Sequence, residues 1–381
     1  MSKSAALRAT TLLTQALRSS ETLPGLALDD WDLLLRVARG KRLLGRLEAD
    51  LARLDLLAAI PDGAASQLRA ARNLVRHRQT LLTWELDRVM WALEELDVPV
   101  VALKGTAYVI AGLPPAAGRF FADLDLLVPF PRIAEVEQRL LQCGWLKIRI
   151  SPYDDRYYRL WMHEIPPLRH RERESEIDIH HALLPRTSRF GSRLDASWLL
   201  EQSRAVDGSS ARVLGPHDMV LHSLVHLFLE GDPQEGLRLR DLVDVADLLK
   251  HFGAEAGFWE GLVPRAKQLG LGRPLYYGLR FASRLLDAEI PAPVLNAAAQ
   301  RAPPLPVRVL MDWLVPLAIL PEHPDHPRRR AAVARWLLYA RAHWLRMPPL
   351  LLMRHLGYKV WLRARGERKR LAVTPQDLQQ L

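Results

Sequence analysis

The chain has 381 residues, 49% hydrophobic and 25% charged, which is the balance of a folded globular protein with a large core. Cys143 is its single cysteine, which excludes an internal disulfide framework and favours a reducing compartment. The net charge of +10 is uneven, because residues 327–370 carry 13 Lys or Arg and one acid, a net +12 that leaves −2 for the remainder.

We expect neither a signal peptide nor a membrane span. The first twenty residues contain no continuous apolar core. The best apolar window, 313–320, is interrupted by Pro316 and falls short of the roughly 18 residues that a spanning helix needs. We therefore expect a cytoplasmic protein, with peripheral attachment to a membrane as an alternative.

The first 97 residues are predicted to be helical. Apolar residues recur there at helical spacing, among them Leu33, Leu34, Val37, Leu81, Leu82, Leu86, Val89 and Leu93. Pro99 ends the last of these helices, because proline disfavours helical backbone in the residue before it.

A strand at 100–103 is followed by a turn at Lys104-Gly105 and a short predicted helix at 106–111. The first N–H groups of such a helix suit a phosphate. Lys104 is either a phosphate or sugar contact or a surface lysine, and Thr106 offers a hydroxyl to a phosphate. An ordinary strand–turn–helix is the alternative interpretation of the turn.

Asp123 and Asp125 lie one residue apart in the apolar strand segment DLDLLV, so both carboxylates should face the same way. Two buried carboxylates repel each other and require compensation. Mg²⁺ is the usual compensating ion because it prefers oxygen ligands. The alternative is that one carboxylate caps a turn and the other pairs with Arg119.

A helix is predicted from Pro131 to about Gly144, with strands at 145–150, 165–171 and 176–182. Together with the two strands before them, they predict a small mixed sheet with helices alongside, an α+β fold. Asp178 alternates with isoleucines in the last strand and supplies a third carboxylate. Glu176 competes for that role, and a solvent-exposed salt bridge is the alternative for Asp178.

From about residue 194 the pattern is helical again. His222 and His226 are spaced as one face of a helix, where zinc binding is the alternative to simple helix packing. We predict four regions: an N-terminal helical region (1–75), a catalytic core (76–190), a helical domain (191–300) and a basic tail interrupted by prolines (301–381).

Four segments in this order resemble an uncharacterised family of bacterial nucleotidyltransferases within the polymerase-beta-type superfamily. They are Leu103-Lys104-Gly105, Arg119, Asp123-Leu124-Asp125-Leu126-Leu127-Val128 and Ile177-Asp178-Ile179-His180. The resemblance covers roughly residues 75–250. Thr106 departs from it, since many superfamily members have serine there.

The resemblance implies a transferase that moves a nucleoside monophosphate from ATP or another NTP to an acceptor hydroxyl or phosphate. It implies Asp123, Asp125 and Asp178 as ligands of two Mg²⁺ ions, with Asp178 also the base. Lys104, Gly105, Thr106 and Arg119 would hold the triphosphate, and His180 is a candidate substrate contact. Arg119 also has a structural alternative, as a tether of the Asp123–Asp125 strand.

Two other functions stay open. A degenerate nucleotidyltransferase would bind nucleotide or a partner protein without turnover. A peripheral membrane adaptor would use residues 327–370, where Trp336, Trp344 and Trp361 lie among arginines, to bind anionic lipid or another polyanion. A helical cap with solvated arginines is the alternative for this tail.

Overall fold

The structure is a computed structural model that describes residues 2–121, 123–148, 150–188, 196–230 and 236–364. Its strands are β1 (Val101–Ala102), β2 (Leu124–Leu127), β3 (Trp145–Lys147), β4 (Leu168–His170), β5 (Glu176–His180), β6 (Arg204–Val206) and β7 (Ser209–Val213). Its helices are α1 (Ser2–Arg18), α2 (Leu28–Gly40), α3 (Leu44–Arg53), α4 (Asp62–Leu93), α5 (Lys104–Ile110), α6 (Ile133–Gln142), α7 (Pro152–Trp161), α8 (Ala196–Glu201), α9 (Pro216–Leu229), α10 (Leu239–Phe252), α11 (Phe258–Gln268), α12 (Gly272–Leu286), α13 (Ala292–Ala299), α14 (Leu305–Ile319), α15 (Arg329–Arg346) and α16 (Pro349–Ala364).

Within the described residues the strands form one mixed seven-stranded sheet in the order β3-β4-β5-β2-β1-β7-β6. The central strand β2 pairs in parallel with β5 and antiparallel with β1, and β1 pairs in parallel with β7. The outer pairs β3–β4, β4–β5 and β6–β7 are antiparallel. Helices and a mixed sheet in one chain confirm the predicted α+β class.

Local sequence signals set the ends of the helices beside the sheet. In α7 the Ser151 hydroxyl accepts a hydrogen bond from the Asp154 N–H at 3.0 Å, and Pro152 occupies the first turn, where its missing N–H costs nothing. After α6 the chain turns at Gly144, whose φ of +100° favours glycine. The Ser151 cap and Pro152 in the first turn explain why α7 begins where it does.

The helical prediction beyond residue 194 was wrong for residues 204–213. There β6 and β7 form a hairpin in which Val206 pairs with Ser209 across a two-residue turn, Asp207-Gly208. Gly208 has a φ of +76°, and Asp-Gly is a preferred pair for such turns. The hairpin adds two strands to the sheet because β7 pairs with β1, with the Arg212 N–H donating to the Val100 carbonyl at 2.9 Å.

The chain divides into two compact units. Unit 1 comprises Met1–Thr80, Gly112–Phe121 and Pro216–Arg341, and unit 2 comprises Leu81–Ala111, Ala122–Gly215 and Ala342–Leu381. All seven strands belong to unit 2. The division of the chain into four successive regions stays a prediction.

Unit 2 is built around the buried middle of its sheet. Every residue of β2 is buried, and β5 alternates so that Ile177 and Ile179 are fully buried among apolar neighbours. Such a strand can carry a polar side chain only where other groups compensate its charge. The acidic side chains of β2 and β5 therefore project from strands whose apolar residues are buried in the core.

Unit 1 is helical, with α9, α10 and α12 packed against one another. The apolar residues of α9, including Val220, Leu221 and Leu224, are fully buried. The segment before Asp123 belongs to this unit and approaches α3 closely, because a Cβ on Gly118 would overlap the backbone of Gly45. Among the described residues no helix combines the length and the apolarity that crossing a bilayer requires.

Candidate active site

Asp125 and Asp178 are direct neighbours in the centre of the sheet. They are register partners on the parallel strands β2 and β5, so their side chains lie side by side on one face. Alternation along β5 places His180 on that same face. The structure therefore brings together three residues that the sequence predicted for the site.

Asp125 is buried and ionised. Its Oδ1 atom accepts from the Lys104 ammonium at 2.9 Å and lies 3.1 Å from Nε2 of His180. Burial opposes the charge, but Lys104 and the His180 hydrogen bond outweigh it and hold the pKa of Asp125 well below its usual range. Since an ionised carboxylate can only accept, His180 donates from Nε2.

Asp178 experiences the opposite environment. Burial raises its pKa well above the usual value, and the negative charges of Glu164, Asp125 and Asp123 raise it further. Asp123 itself is exposed, immediately before β2, yet it still acts on Asp178. Glu176, the competitor of Asp178 for the third carboxylate position, is also exposed.

The turn after β1 positions Lys104. The helix α5 begins at this residue, whose φ of +45° is in the left-handed region that a lysine rarely adopts. The Leu103 N–H donates to the Asp125 carbonyl at 3.0 Å, so the turn is fixed to β2. Strained backbone of this kind clusters at functional sites.

Thr106 lies within α5 and is fully buried beside Gly105. Its Oγ1 atom finds no hydrogen-bond partner among the described residues. A buried hydroxyl without a partner costs free energy, so a group that binds to it recovers that cost. This observation supports Thr106 as a contact for an oxygen-bearing ligand, while its contact with phosphate stays a prediction.

Arg119 belongs to unit 1, where it forms ion pairs with Asp241, at 3.4 Å, and with Asp244, both on α10. The guanidinium is largely buried, with 12% of the side chain exposed. For Arg119 the sequence predicted either a triphosphate contact or a tether of the Asp123–Asp125 strand, and these two acidic partners were not predicted. A triphosphate contact for Arg119 stays a prediction.

Glu164 is a further residue of the site that was not predicted from the sequence. Its Oε2 atom lies 3.6 Å from His180 Nε2 and 3.9 Å from His163 Nε2. The signal available was a His-Glu pair just before Ile165, a residue whose N–H donates to the carbonyl of Ile179 in β5. The charges of Glu164 and Asp178 also act on Tyr158 of α7, whose pKa burial raises above its usual value.

The zinc alternative at His222 and His226 gains no third ligand from the structure. His222 is buried in α9, and Nδ1 of His226 lies 2.6 Å from Glu230 while its Nε2 lies 3.7 Å from Asp241. Within the described residues, the one group of three side chains spaced to hold a metal is His163, Glu164 and His180.

The mixed sheet, with Asp125 and Asp178 in register on β2 and β5 and with Lys104 on a left-handed turn, agrees with the nucleotidyltransferase class that the sequence resembles. The chain belongs to the uncharacterised nucleotidyltransferase family, whose sequence profile matches residues 28–287. This match extends beyond the predicted range of 75–250 at both ends. No curated protein and no solved structure matched the chain. Nucleotidyl transfer is the general activity that membership in this family supports.

Proposed function

We propose that unit 2 carries an active site that moves a nucleoside monophosphate from an NTP to an acceptor hydroxyl or phosphate. The observation that carries the proposal is the pair Asp125 and Asp178, in register on β2 and β5, with Lys104 at 2.9 Å from Asp125. The reaction forms a bond between the acceptor oxygen and the α-phosphorus and breaks the bond from that phosphorus to the bridging oxygen. Pyrophosphate leaves with the electron pair of that bond.

Asp178 is the proposed base. In the structure, burial and acidic neighbours raise its pKa, and bound cations would offset that repulsion and leave the carboxylate ionised, the form that can accept a proton. It would take the proton of the acceptor hydroxyl while that oxygen attacks. Its neighbour Asp125, held ionised by Lys104 and His180, is unsuited to that role.

The carboxylates fit divalent cations. Burial and the negative charges of Glu164, Asp125 and Asp123 disfavour ionisation of Asp178, and a bound cation would relieve the repulsion among these carboxylates. Asp123, Asp125 and Asp178 would hold magnesium, with two ions expected, through the oxygen ligands that this metal prefers. Bound magnesium supplies neutralisation of the triphosphate and a lower pKa for the acceptor hydroxyl.

Lys104, Gly105 and Thr106 are proposed to contact the triphosphate. Lys104 would exchange its pairing with Asp125 for a phosphate oxygen, and the buried Thr106 hydroxyl would gain the partner that it lacks among the described residues. Arg119 is proposed as a further triphosphate contact, and His180 as a substrate contact. Both already bind acids in the structure, so these roles require an exchange of partners.

The pairing of Lys104 with Asp125 also favours a second candidate, a degenerate nucleotidyltransferase that binds nucleotide or a partner without turnover. In that case an internal cation would permanently occupy the carboxylate. The two candidates predict the same fold and the same nucleotide binding. They differ in whether product forms.

Residues 327–370 are proposed as a contact for an anionic membrane surface or another polyanion, on the basis of their net charge of +12. A cytoplasmic location, with peripheral attachment through this segment, is proposed from the single cysteine and this charge.

The proposal is tested by incubating the full chain with each NTP, labelled at the α-phosphate, together with Mg²⁺ and a cell extract, and then locating the label. Transfer of label to an acceptor by the wild type and not by Asp178→Asn supports the enzyme. A parallel calorimetric titration with Mg²⁺–NTP should lose binding in the Asp123→Asn, Asp125→Asn double variant. Binding by the wild type without labelled product from any NTP supports the degenerate binder, and unchanged binding by the double variant contradicts the carboxylate site.

A further inference from the structure

Three potential metal ligands lie at the edge of the site on backbone that the sheet fixes. His163, Glu164 and Ile165 run antiparallel to the end of β5, where Glu164 forms a β-bridge with His180. The Ile165 N–H donates to the Ile179 carbonyl at 3.1 Å, and the His181 N–H donates to the His163 carbonyl at 2.8 Å. These backbone contacts therefore bring the side chains of His163, Glu164 and His180 close to one another.

The donor atoms are close to the spacing that one ion requires. Nε2 of His180 lies 3.6 Å from Oε2 of Glu164, Nε2 of His163 lies 3.9 Å from the same oxygen, and all three donors fall within 4.8 Å of one another. Tetrahedral bonds of about 2.0–2.1 Å place donors roughly 3.3 Å apart. Small side-chain rotations therefore suffice to close the set around a cation.

A fourth donor is already adjacent, because Oδ1 of Asp125 lies 3.1 Å from Nε2 of His180. His163 and His180 are 3% and 1% exposed, and 16% of the Glu164 side chain is exposed. The donors are thus largely withdrawn from water while one carboxylate still reaches solvent.

The chemistry of the donors selects the metal. Two imidazole nitrogens and a carboxylate suit zinc and similar transition metals, whereas magnesium prefers oxygen ligands throughout. We propose that His163, Glu164 and His180 bind one divalent transition-metal ion of the zinc type, with Asp125 as the adjacent fourth donor. This site goes beyond the proposed nucleotidyl transfer, because it requires no nucleotide, although it shares Asp125 and His180 with the residues proposed for that reaction.

Binding exchanges one interaction for another at His180. In the metal-free protein Nε2 carries a proton and donates it to Asp125. For the ion to bind the Nε2 lone pair of a neutral imidazole, that proton must move to Nδ1. Asp125 Oδ1, which also accepts from Lys104, would exchange the His180 hydrogen bond for a bond to the ion.

The test uses the full chain without nucleotide. Zn²⁺ is titrated calorimetrically in the presence of excess Mg²⁺, and Co²⁺ is titrated while its visible ligand-field bands are recorded. The wild type should bind one ion per chain, and His163→Ala and Glu164→Gln should each weaken binding by at least about tenfold, the loss that removing even an outer-sphere partner of a metal ligand can cause. Circular dichroism verifies that each variant is folded, and Glu164→Gln retains the shape of its side chain if His163→Ala does not fold.

Two further variants serve as controls. His77 is exposed on α4, so His77→Ala should leave the affinity unchanged unless the ion binds surface histidines. Asp178→Asn should keep Zn²⁺ affinity within a few-fold. Unchanged affinity in both ligand variants, equal competition by Mg²⁺, or an Asp178→Asn loss as large as that of His163→Ala would each overturn the proposal. Since no NTP is present, these outcomes are independent of whether the protein transfers nucleotides.

Discussion

Lys104 and Asp125 form a buried ion pair, with 14% and 8% of their side chains exposed. Removing one partner of such a pair leaves the other charge buried and poorly compensated, which costs about 3–5 kcal/mol. We expect Lys104→Gln to lower the free energy of unfolding by about 3 kcal/mol, at the low end because His180 still donates to Asp125. Urea denaturation of the wild type and the variant at neutral pH measures this change in the free energy of unfolding.

The matched control is Lys147→Gln. Lys147 lies 3.2 Å from Glu137, but half of its side chain is exposed, so its loss should change stability by less than about 1 kcal/mol. Adding Asp125→Asn to Lys104→Gln should recover most of the lost stability. If the two lysine substitutions lower the free energy of unfolding equally, burial of the Lys104–Asp125 pair does not determine the cost of breaking it.

The second prediction concerns the contact between α3 and the segment that precedes Asp123. Gly118 has a φ of +72°, and a Cβ there would overlap the backbone of Gly45, which belongs to α3. Gly118→Ala should therefore lower the free energy of unfolding by about 2–3 kcal/mol, from overpacking together with left-handed backbone.

Gly63 of α4 is the control, because a Cβ there would meet no described atom within 4 Å. Gly63→Ala should be neutral or slightly stabilising, since alanine is the better helix former. Thermal melts of both variants compare them. A Gly118→Ala variant as stable as Gly63→Ala would contradict the close approach of these backbones.

The third prediction concerns Glu137, which joins α6 to α7 and β3. Its carboxylate accepts from Arg159 at 2.8 and 3.0 Å and lies 3.2 Å from the Lys147 ammonium. Burial opposes the charge, but these cations outweigh it and hold the pKa of Glu137 below its usual value. Because the folded pKa is the lower one, this stabilisation is present above the unfolded pKa and is lost as pH falls through the folded pKa.

Glu137→Gln should cost about 2 kcal/mol near pH 7, the worth of a hydrogen-bonded charge, and the cost should shrink as pH falls below about 4. Denaturation curves at a series of pH values measure this difference. Glu135→Gln on the same helix is the control, because 53% of the Glu135 side chain is exposed. A cost for Glu137→Gln that does not change with pH would contradict the ion pair.

The sequence pattern predicted those strands and helices that can be recognised from a short stretch of residues. The alternation of aspartates with leucines and isoleucines defined β2 and β5, because side chains in a strand alternate with a period of two. The hairpin was not predicted, although Asp207-Gly208 marks its turn, since β6 and β7 are short and half of their residues are polar. Glu164 was missed because its place depends on a bridge to His180, sixteen residues later.

Arg119 illustrates the same limit over a longer range. Its acidic partners Asp241 and Asp244 follow more than a hundred residues later, and no local pattern joins them to it. Whether the pKa of each aspartate is raised or lowered likewise depends on the groups that the fold places beside it. Spacing placed Asp125 and Asp178 on one face, but only the fold separates an ionised Asp125 from an Asp178 that favours its proton.

Over the whole molecule, the positive charge is concentrated in residues 327–370. Point substitutions test this segment better than a truncation would, because part of it is buried. Ala331, Ala334 and Leu338 of α15 are buried, so their removal would disturb the fold. Arg329, Arg330 and Trp336 are exposed on the same helix. Part of the predicted segment, residues 365–370, lies outside the described residues.

We expect Arg329→Glu, Arg330→Glu and Trp336→Ala, combined in one variant, to abolish sedimentation with anionic vesicles at low salt. Each arginine near such a surface contributes up to about 1 kcal/mol, and salt should release the wild type. Neutral vesicles and duplex DNA distinguish a preference for lipid from general binding of polyanions.

A control variant with the same change of charge, Arg69→Glu and Arg76→Glu, alters exposed arginines of α4 and should sediment as the wild type does. If the wild type itself fails to sediment with anionic vesicles, the tail is a helical cap with solvated arginines. If both variants lose sedimentation equally, the net charge of the chain governs binding and the tail has no special role.

The measurement that tests the central claim most directly is the release of pyrophosphate from NTP by the full chain, with Mg²⁺ and an acceptor identified by label transfer. Attack at the α-phosphorus releases pyrophosphate, whereas attack at the γ-phosphorus does not. We predict that the wild type releases one pyrophosphate per product, and that Asp178→Asn lowers the rate by about 10²-fold or more while NTP affinity stays within a few-fold. Product formed without pyrophosphate, or Asp178→Asn turning over at the wild-type rate, would contradict nucleotidyl transfer at this site.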